Sequence, residues 1–245
     1  MQDEQITKAR EALQRAERVV VFSGAGLSAE SGISTFRGAQ DNALWSRYDP
    51  MKLASLAGFA EDAATVIDWY SWRRQTLAGA EPNRAHLALA AHPALLQITQ
   101  NVDDLLERAG VPASQILHLH GSIIKDRCHA NCGVEENVSL EDPPALHRCV
   151  KCGALMRPTV VWFGESLPAG VWQEAERACR QSDCLLVVGT SASVYPAAGL
   201  IDLAQNAGSQ VIIVNTEWSE AGSRSQHQLI GPAGLILPEL LKGLP

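Results

Sequence analysis

Short runs of apolar residues recur along this chain, separated by stretches whose apolar positions return every three or four residues. Arg18-Val-Val-Val-Phe22 has the continuous apolar character of a strand buried on both faces of a parallel sheet. Comparable runs lie near 95–100, 115–120, 158–163, 184–189 and 210–215. Strands alternating with helices in this way predict an α/β fold with a doubly wound parallel sheet. Two stretches break the alternation: residues 38–83 carry Trp, Ala and Leu at helical spacing, and 125–157 contain paired cysteines. A smaller domain built from these two insertions is expected, with a ligand cleft between it and the sheet, because small-molecule sites favour domain interfaces.

Three polar segments fall at the expected strand ends. Gly24-Ala25-Gly26-Leu27-Ser28 follows the first run almost at once. Glycine permits a sharp turn and close approach of a pyrophosphate, and Ser28 is placed to cap a following helix whose first N–H groups attract anions. An ordinary tight turn has the same spacing. A hydride-transfer dinucleotide site adds an acidic residue about 20 residues on, at the end of the second strand. Here that distance falls in Asp41 to Tyr48, ahead of helical-looking sequence, which disfavours that enzyme class. Thr99-Gln100-Asn101-Val102-Asp103 leads into an expected helix from Asp103 to Ala109, stopped by Gly110. Asn101 and Asp103 stand either as ligands at a strand end or as helix caps. In Gln115-Ile-Leu-His118-Leu-His120-Gly121, alternation puts 116, 118 and 120 on one face. His118 then reads as a packed or hydrogen-bonded strand residue. His120 sits at the rim, where a histidine is either structural or a base.

Cys128-x3-Cys132 and Cys149-x2-Cys152, sixteen residues apart, suit a tetrahedral zinc held by four thiolates, with His129 and His147 adjacent as substitutes. Four thiolates leave no open position for a catalytic water, so this metal would be structural. Disulfides are the alternative, but the chain opens on Met1-Gln-Asp-Glu-Gln-Ile-Thr-Lys, a charged amphipathic pattern and not a secretory signal. Cys179 and Cys184 read as buried apolar residues, and Gly133 to Arg148, with Pro143-Pro144, as the polar tip of the metal module. At 245 residues and 46% hydrophobic the chain can bury a substantial core. A net charge of -7 argues against nucleic acid and suits basic, lysine-bearing protein segments. No apolar run reaches the roughly 18 residues of a membrane span, so a cytoplasmic enzyme without a membrane partner is expected, for which a monomer is plausible.

Taken in order, the three segments resemble the sirtuin family of NAD-dependent protein lysine deacylases, as do Thr35-Phe36-Arg37, Val161-Trp162-Phe163-Gly164-Glu165, Gly189-Thr190-Ser191 and Val214-Asn215-Thr216-Glu217. The resemblance spans about residues 18–233. It implies one sirtuin-type domain over 1–245. The Rossmann-like part would be about 1–37, 84–124 and 158–245, the small domain about 38–83 (helical) and 125–157 (zinc module). It further implies that NAD is consumed as co-substrate, giving nicotinamide, free lysine and O-acyl-ADP-ribose. Gly24, Ala25, Gly26, Ser28, Glu30, Ile33, Phe36 and Arg37 would belong to the NAD site. Gln100, Asn101 and Asp103 would hold the nicotinamide and its ribose, and His120 would be the general base. Gly189, Thr190, Ser191, Asn215, Thr216, Glu217 and Ala233 would border the adenosine half. Val161 to Glu165 and Val194-Tyr195 would flank the substrate backbone, pairing with it as an added strand.

In Trp69-Tyr70-Ser71-Trp72-Arg73-Arg74, Tyr70 and Arg73 share a helix face. A phenol and a guanidinium so placed can bind a carboxylate, although an aromatic in the core with a surface arginine has the same pattern. This Tyr-x-x-Arg resembles the signature of the sirtuin class that removes succinyl and malonyl groups. Arg74 is expected to be solvated or to pair with an acid, and Trp45, Trp69, Trp72, Trp162, Trp172 and Trp218 to be mostly core. Two rivals share the NAD site: a mono-ADP-ribosyltransferase and a noncatalytic NAD sensor. The presence of Asn101, Asp103 and His120 argues against the sensor.

Overall fold

The computed structural model describes residues 2–35, 48–218, 225 and 227–244; Phe36, Arg37 and Trp45 lie outside them. In chain order the strands are β1 (Val19–Ser23), β2 (Leu96–Thr99), β3 (Ile116–His118), β4 (Lys125–Cys128), β5 (Glu135–Asn137), β6 (Met156–Pro158), β7 (Cys184–Val188), β8 (Gln210–Asn215) and β9 (His227–Ile230). The helices are α1 (Gln2–Arg15), α2 (Pro50–Leu53), α3 (Leu56–Glu61), α4 (Ala63–Ala78), α5 (Arg84–Ala90), α6 (Leu105–Ala109), α7 (Ala169–Gln181), α8 (Gly199–Asn206) and α9 (Ala233–Leu240).

Six strands form one parallel sheet in the order β3-β2-β1-β7-β8-β9. Counted among themselves they run 3-2-1-4-5-6, the Rossmann order, whose reversal between β1 and β7 opens a crevice at the carboxyl ends of the strands. The apolar run of β1 is explained by burial on both sides. Val21 packs in a cluster with Leu13 of α1, Leu89 of α5 and Leu237 of α9. Val20 and Phe22 pack in another with Ala175 of α7 and Leu200 of α8. Cys184 and Cys179 fall one in each cluster, and burial pushes both thiols up to about 12.

Two expectations about strands are corrected. The run 158–163 does not enter the parallel sheet: β6 stops at Pro158 and pairs antiparallel with β4, in a separate three-stranded sheet β5-β4-β6. Beyond it Val160 and Trp162 are buried in the small lobe while Phe163 is exposed. An apolar run that looks two-sided is therefore buried on one side only. β9 was not expected, because of its four residues only Leu229 is buried, too little to register as a hydrophobic run. The polar stretch Gly133 to Arg148 also holds β5.

In the small lobe the helices share an apolar cluster with the segments after β3 and β6. Leu53, Phe59, Ile67, Trp69 and Tyr70 from the helices pack with Ile123, Val160 and Trp162. Arg74 is fully buried on α4. It donates through Nη2 to Asp126 Oδ1 of β4 at 2.5 Å and through Nε to the Ile123 carbonyl at 2.9 Å. Of the two expectations for Arg74, pairing with an acid holds and solvation does not.

Candidate active site

A cleft of about 430 Å3 lies at the carboxyl ends of β1, β7 and β8, closed on its far side by Tyr70, Arg73 and Val160 to Glu165. A recess of about 60 Å3 shares Ala25, Arg73, Asn101 and Val102 with it and reaches Ser28, Ile33 and Asp103.

The glycines of this crevice are required by the contact between two turns. Gly24 N–H donates to the Val188 carbonyl and Gly26 N–H to the Gly189 carbonyl, at 3.0 and 2.8 Å. A Cβ on Gly26 would lie 2.7 Å from the Gly189 Cα, and Gly189 itself has φ +59. The N–H groups of both leading glycines are thus already bonded. Ala25 N–H finds no protein acceptor among the described residues, which leaves it for an anion. Ser28 does not cap a helix as expected. The chain makes two short 3-10 turns at Ala25–Leu27 and Ala29–Ser31, and the hydroxyl turns inward, donating to Asp103 Oδ2 at 2.9 Å and accepting from Asn101 Nδ2 at 3.1 Å.

The segment after β2 is held from several sides. Gln100 Nε2 donates to Thr190 Oγ1 at 2.9 Å, and Asn101 N–H to Thr99 Oγ1 at 3.0 Å. The helix begins two residues later than expected, at Leu105, whose N–H reaches Asp103 Oδ1 at 3.3 Å. Burial pushes the Asp103 carboxyl above its usual range, against the hydrogen bond from Ser28. His86 completes the cluster, its Nε2 3.5 Å from Ser28 Oγ. The Asn83 N–H donates to His86 Nδ1 in a capping box, and burial holds this ring neutral, with a pKa of about 4. The only sequence signal for His86 was Asn-x-x-His ahead of a helical stretch, a cap pattern without chemical content.

His118 and His120 take different roles. His118 Nδ1 meets the Asn101 carbonyl at 3.1 Å and Nε2 meets Glu107 of α6 at 2.8 Å, the hydrogen-bonded strand residue expected. His120 Nδ1 lies 3.0 Å from the Gln100 carbonyl. A carbonyl only accepts, so Nδ1 carries the hydrogen and Nε2 keeps its lone pair in a residue that lines the cleft. Burial lowers the His120 pKa below 6.5, opposed by the Gln100 carbonyl.

On the small-lobe side Tyr70 is fully buried, and its hydroxyl accepts from Trp162 Nε1 at 2.9 Å. The Arg73 guanidinium lies over the rings of Trp69 and Tyr70, 4.9 and 5.6 Å from their centroids. Glu165 pairs with Arg127 at 3.0 Å and with Arg157, and accepts from Trp162 N–H at 2.9 Å. Its carboxylate thus braces this turn, and Glu165 itself borders the cleft. Glu30 lines neither cavity. It accepts from Gly234 N–H at 2.7 Å in the first turn of α9, an N-terminal cap that favours a carboxylate there.

The four cysteine Sγ atoms of 128, 132, 149 and 152 lie within 4.8 Å of one another and form no disulfide. Tetrahedral zinc with Zn–S of about 2.3 Å needs sulfurs about 3.8 Å apart, so the set fits. The extra residue in the first knuckle is absorbed at Asn131, which has φ 54. Neither neighbouring histidine substitutes: His147 bonds Glu136 at 2.7 Å, and His129 packs against Phe59 with the rings tilted by 50°. None of the four cysteines lines the cleft.

Residues 24–196 match the Sir2 family. The chain belongs to the Sir2 family. It is 47% identical to NAD-dependent protein deacylase 1 of Pseudomonas aeruginosa, covering 95% of this chain and 96% of that protein. The NAD-dependent protein deacylase of Mycobacterium tuberculosis is likewise 47% identical, covering 93% of this chain and 98% of the other. A solved Sir2 homologue in complex with NAD superposes with a TM-score of 0.88 at 42% identity, over 96% of this chain and 92% of that one.

In this Sir2 chain the cleft brings together Gly24, Ala25, Gly26, Gln100, Asn101, His120, Gly189, Thr190, Ser191, Asn215, Thr216, Glu217 and Ala233 with Tyr70, Arg73, Val161, Trp162, Phe163, Gly164, Glu165, Val194 and Tyr195. Ser28, Ile33 and Asp103 border the adjoining recess. Sequence reasoning missed Trp69 and Leu167, which also line the cleft; an aromatic and an aliphatic residue carry no chemical signature.

Proposed function

We propose that this protein removes acyl groups from protein lysines with NAD as co-substrate, and that Tyr70 and Arg73 favour acyl chains ending in a carboxylate, such as succinyl and malonyl. The observation that carries the deacylase reading is His120, a histidine whose Nδ1 is committed to a carbonyl, in the same cleft as the paired glycine turns. Relatives named NAD-dependent protein deacylase at 47% identity support it. Bound NAD supplies the ribose whose anomeric carbon, as its bond to nicotinamide breaks, takes the acyl-lysine carbonyl oxygen. A ribose hydroxyl then adds to the acyl carbon, and one water is consumed as the carbon–nitrogen bond to lysine breaks, so that free lysine and O-acyl-ADP-ribose result. Gly24 to Gly26 and Ser28 hold the pyrophosphate, with Ala25 N–H as one donor. Gly189 to Ser191, Asn215 to Glu217 and Ala233 border the adenosine half, and Ile33, Gln100, Asn101 and Asp103 the nicotinamide and its ribose. His120 Nε2 accepts a ribose hydroxyl proton. Val161 to Glu165 and Val194-Tyr195 flank the acyl-lysine segment of a protein substrate. The small domain, about 38–83 and 125–157, closes the cleft over it. The unbridged Cys179 and Cys184 thiols suit a reducing compartment, and a cytoplasmic location is part of the proposal.

His120 must be neutral to accept a proton, and its pKa lies below 6.5. Activity should therefore fall only as the pH drops through a value below 6.5, where the ring gains its proton. The acid limb of the kcat/KM profile on acyl peptide measures this, and a limb centred above 6.5 would contradict it.

The acidic-acyl reading is tested at Arg73, which has a charged partner on succinyl lysine and none on acetyl lysine. A charge-assisted pair contributes about 1.5 to 3 kcal/mol, so Arg73→Met should cut kcat/KM for succinyl peptide by roughly ten- to over a hundredfold. The acetyl rate should change far less. Tyr70→Phe, which removes one neutral hydroxyl, should shift the same ratio less. An equal fall on both substrates would assign Arg73 to the fold. Labelled NAD in the same assay separates deacylation from ADP-ribosyl transfer, since label then leaves as O-acyl-ADP-ribose and does not stay on protein.

A further inference from the structure

We infer that Trp162 is the positioning residue that turns the Tyr70 hydroxyl toward the acyl end of the substrate, and so sets the acidic-acyl preference together with Tyr70 and Arg73. The inference rests on the acidic-acyl reading above.

An indole N–H can only donate, and a phenol has a single hydrogen. Because Trp162 Nε1 sits 2.9 Å from the Tyr70 oxygen, Tyr70 is the acceptor in that bond and its own hydrogen points elsewhere. Among the described residues no atom accepts that hydrogen, and Tyr70 borders the cleft beside Arg73. A carboxylate in that part of the cleft would take the phenol hydrogen and pair with the guanidinium. The bond from Trp162 also polarises the phenol and strengthens its donation.

Trp162 is itself held. The Arg157 guanidinium lies 4.1 Å from its ring centroid. Glu165, paired with Arg127 and Arg157, accepts from the Trp162 backbone N–H. The intervening Gly164 has φ +86, a turn that L side chains resist. The sheet of the zinc module thus fixes the indole through Arg127 of β4 and Arg157 of β6, and the indole fixes the phenol. Phenylalanine at 162 would keep an aromatic face for Arg157 but donate nothing to Tyr70.

The test measures the ratio of kcat/KM on matched succinyl and acetyl peptides for wild type, Trp162→Phe, Tyr70→Phe, the double variant and Arg73→Met. Trp162→Phe should lower the ratio roughly two- to tenfold, the range of a neutral hydrogen bond. Combining it with Tyr70→Phe should lower the ratio no further than the larger single effect, since both remove one device. If Tyr70→Phe lowers the ratio and Trp162→Phe does not, or if the two losses multiply, Trp162 does not act through Tyr70. If Arg73→Met leaves the ratio unaltered, the acidic-acyl reading falls and the role of Trp162 with it. Should Trp162→Phe fail to fold, the Trp162 indole N–H resonance in nitrogen-labelled protein reads the same bond. Succinyl peptide should shift it more than acetyl peptide, and Tyr70→Phe should abolish the difference. Equal shifts with both peptides would overturn the inference.

Discussion

His120→Ala should give a folded protein that still takes up NAD and turns over acyl peptide on the order of a hundred- to ten-thousandfold more slowly, the usual loss on removing a general base. The expectation follows from where the ring is tied. Among the described residues the His120 side chain has one hydrogen bond, to the Gln100 carbonyl at 3.0 Å, and the backbone carbonyl that accepts from Val161 N–H at 2.9 Å is kept in alanine. The Gln100 side chain stays anchored on Thr190 and the Asn101 amide on Ser28, which preserves the rest of the NAD site. Steady-state rates, NAD titration and a melting curve on the same preparation test all three parts. A folded variant with near-normal rates would remove His120 from the reaction.

Zinc removal should have the largest effect on stability. We expect one zinc per chain, and Cys149→Ser to lose it and unfold the module. Structural zinc contributes about 10 to 16 kcal/mol in small peptides, comparable to the whole stability of a domain. The damage should spread beyond the module. β4 and β6 carry Asp126, Arg127 and Arg157, which pair with Arg74 of α4 and with Glu165. Loosening β4 strands the Arg74 guanidinium, 0% exposed, as a buried charge without its partner. Elemental analysis of protein prepared without chelator, and melting with and without chelator, measure this. Cys179→Ser and Cys184→Ser should keep their zinc. Protein without stoichiometric metal, or a melting point indifferent to chelator, would refute the expectation.

The chemistry-bearing residues were legible in the chain because their demands are local. Gly24 and Gly26 follow β1 at once, the cysteines stand at ligand spacing, and His120 ends a strand whose alternation is plain. Element boundaries were less so. The run after Pro158 has the composition of a buried strand, and only the packing of Val160 and Trp162 against the small-lobe helices, with Phe163 left exposed, shows that one side is open. Polar side chains were hardest to assign. Glu30 and Glu165 lie within segments shared with the sirtuins, yet one caps α9 and the other braces Trp162. His86, without any motif, touches Ser28.

By itself the sequence determined the parallel sheet, the cysteine set and the residues able to meet an anion or move a proton, because each depends on the residue type and its nearest neighbours. The tertiary structure alone decided what those residues touch. Glycine is needed at 26 because the turn after β7, some 160 residues away, passes within contact distance. Tyr70 is turned by an indole 92 residues on. A hydrogen bond has direction and a contact has a partner, and neither is set until distant segments are packed together.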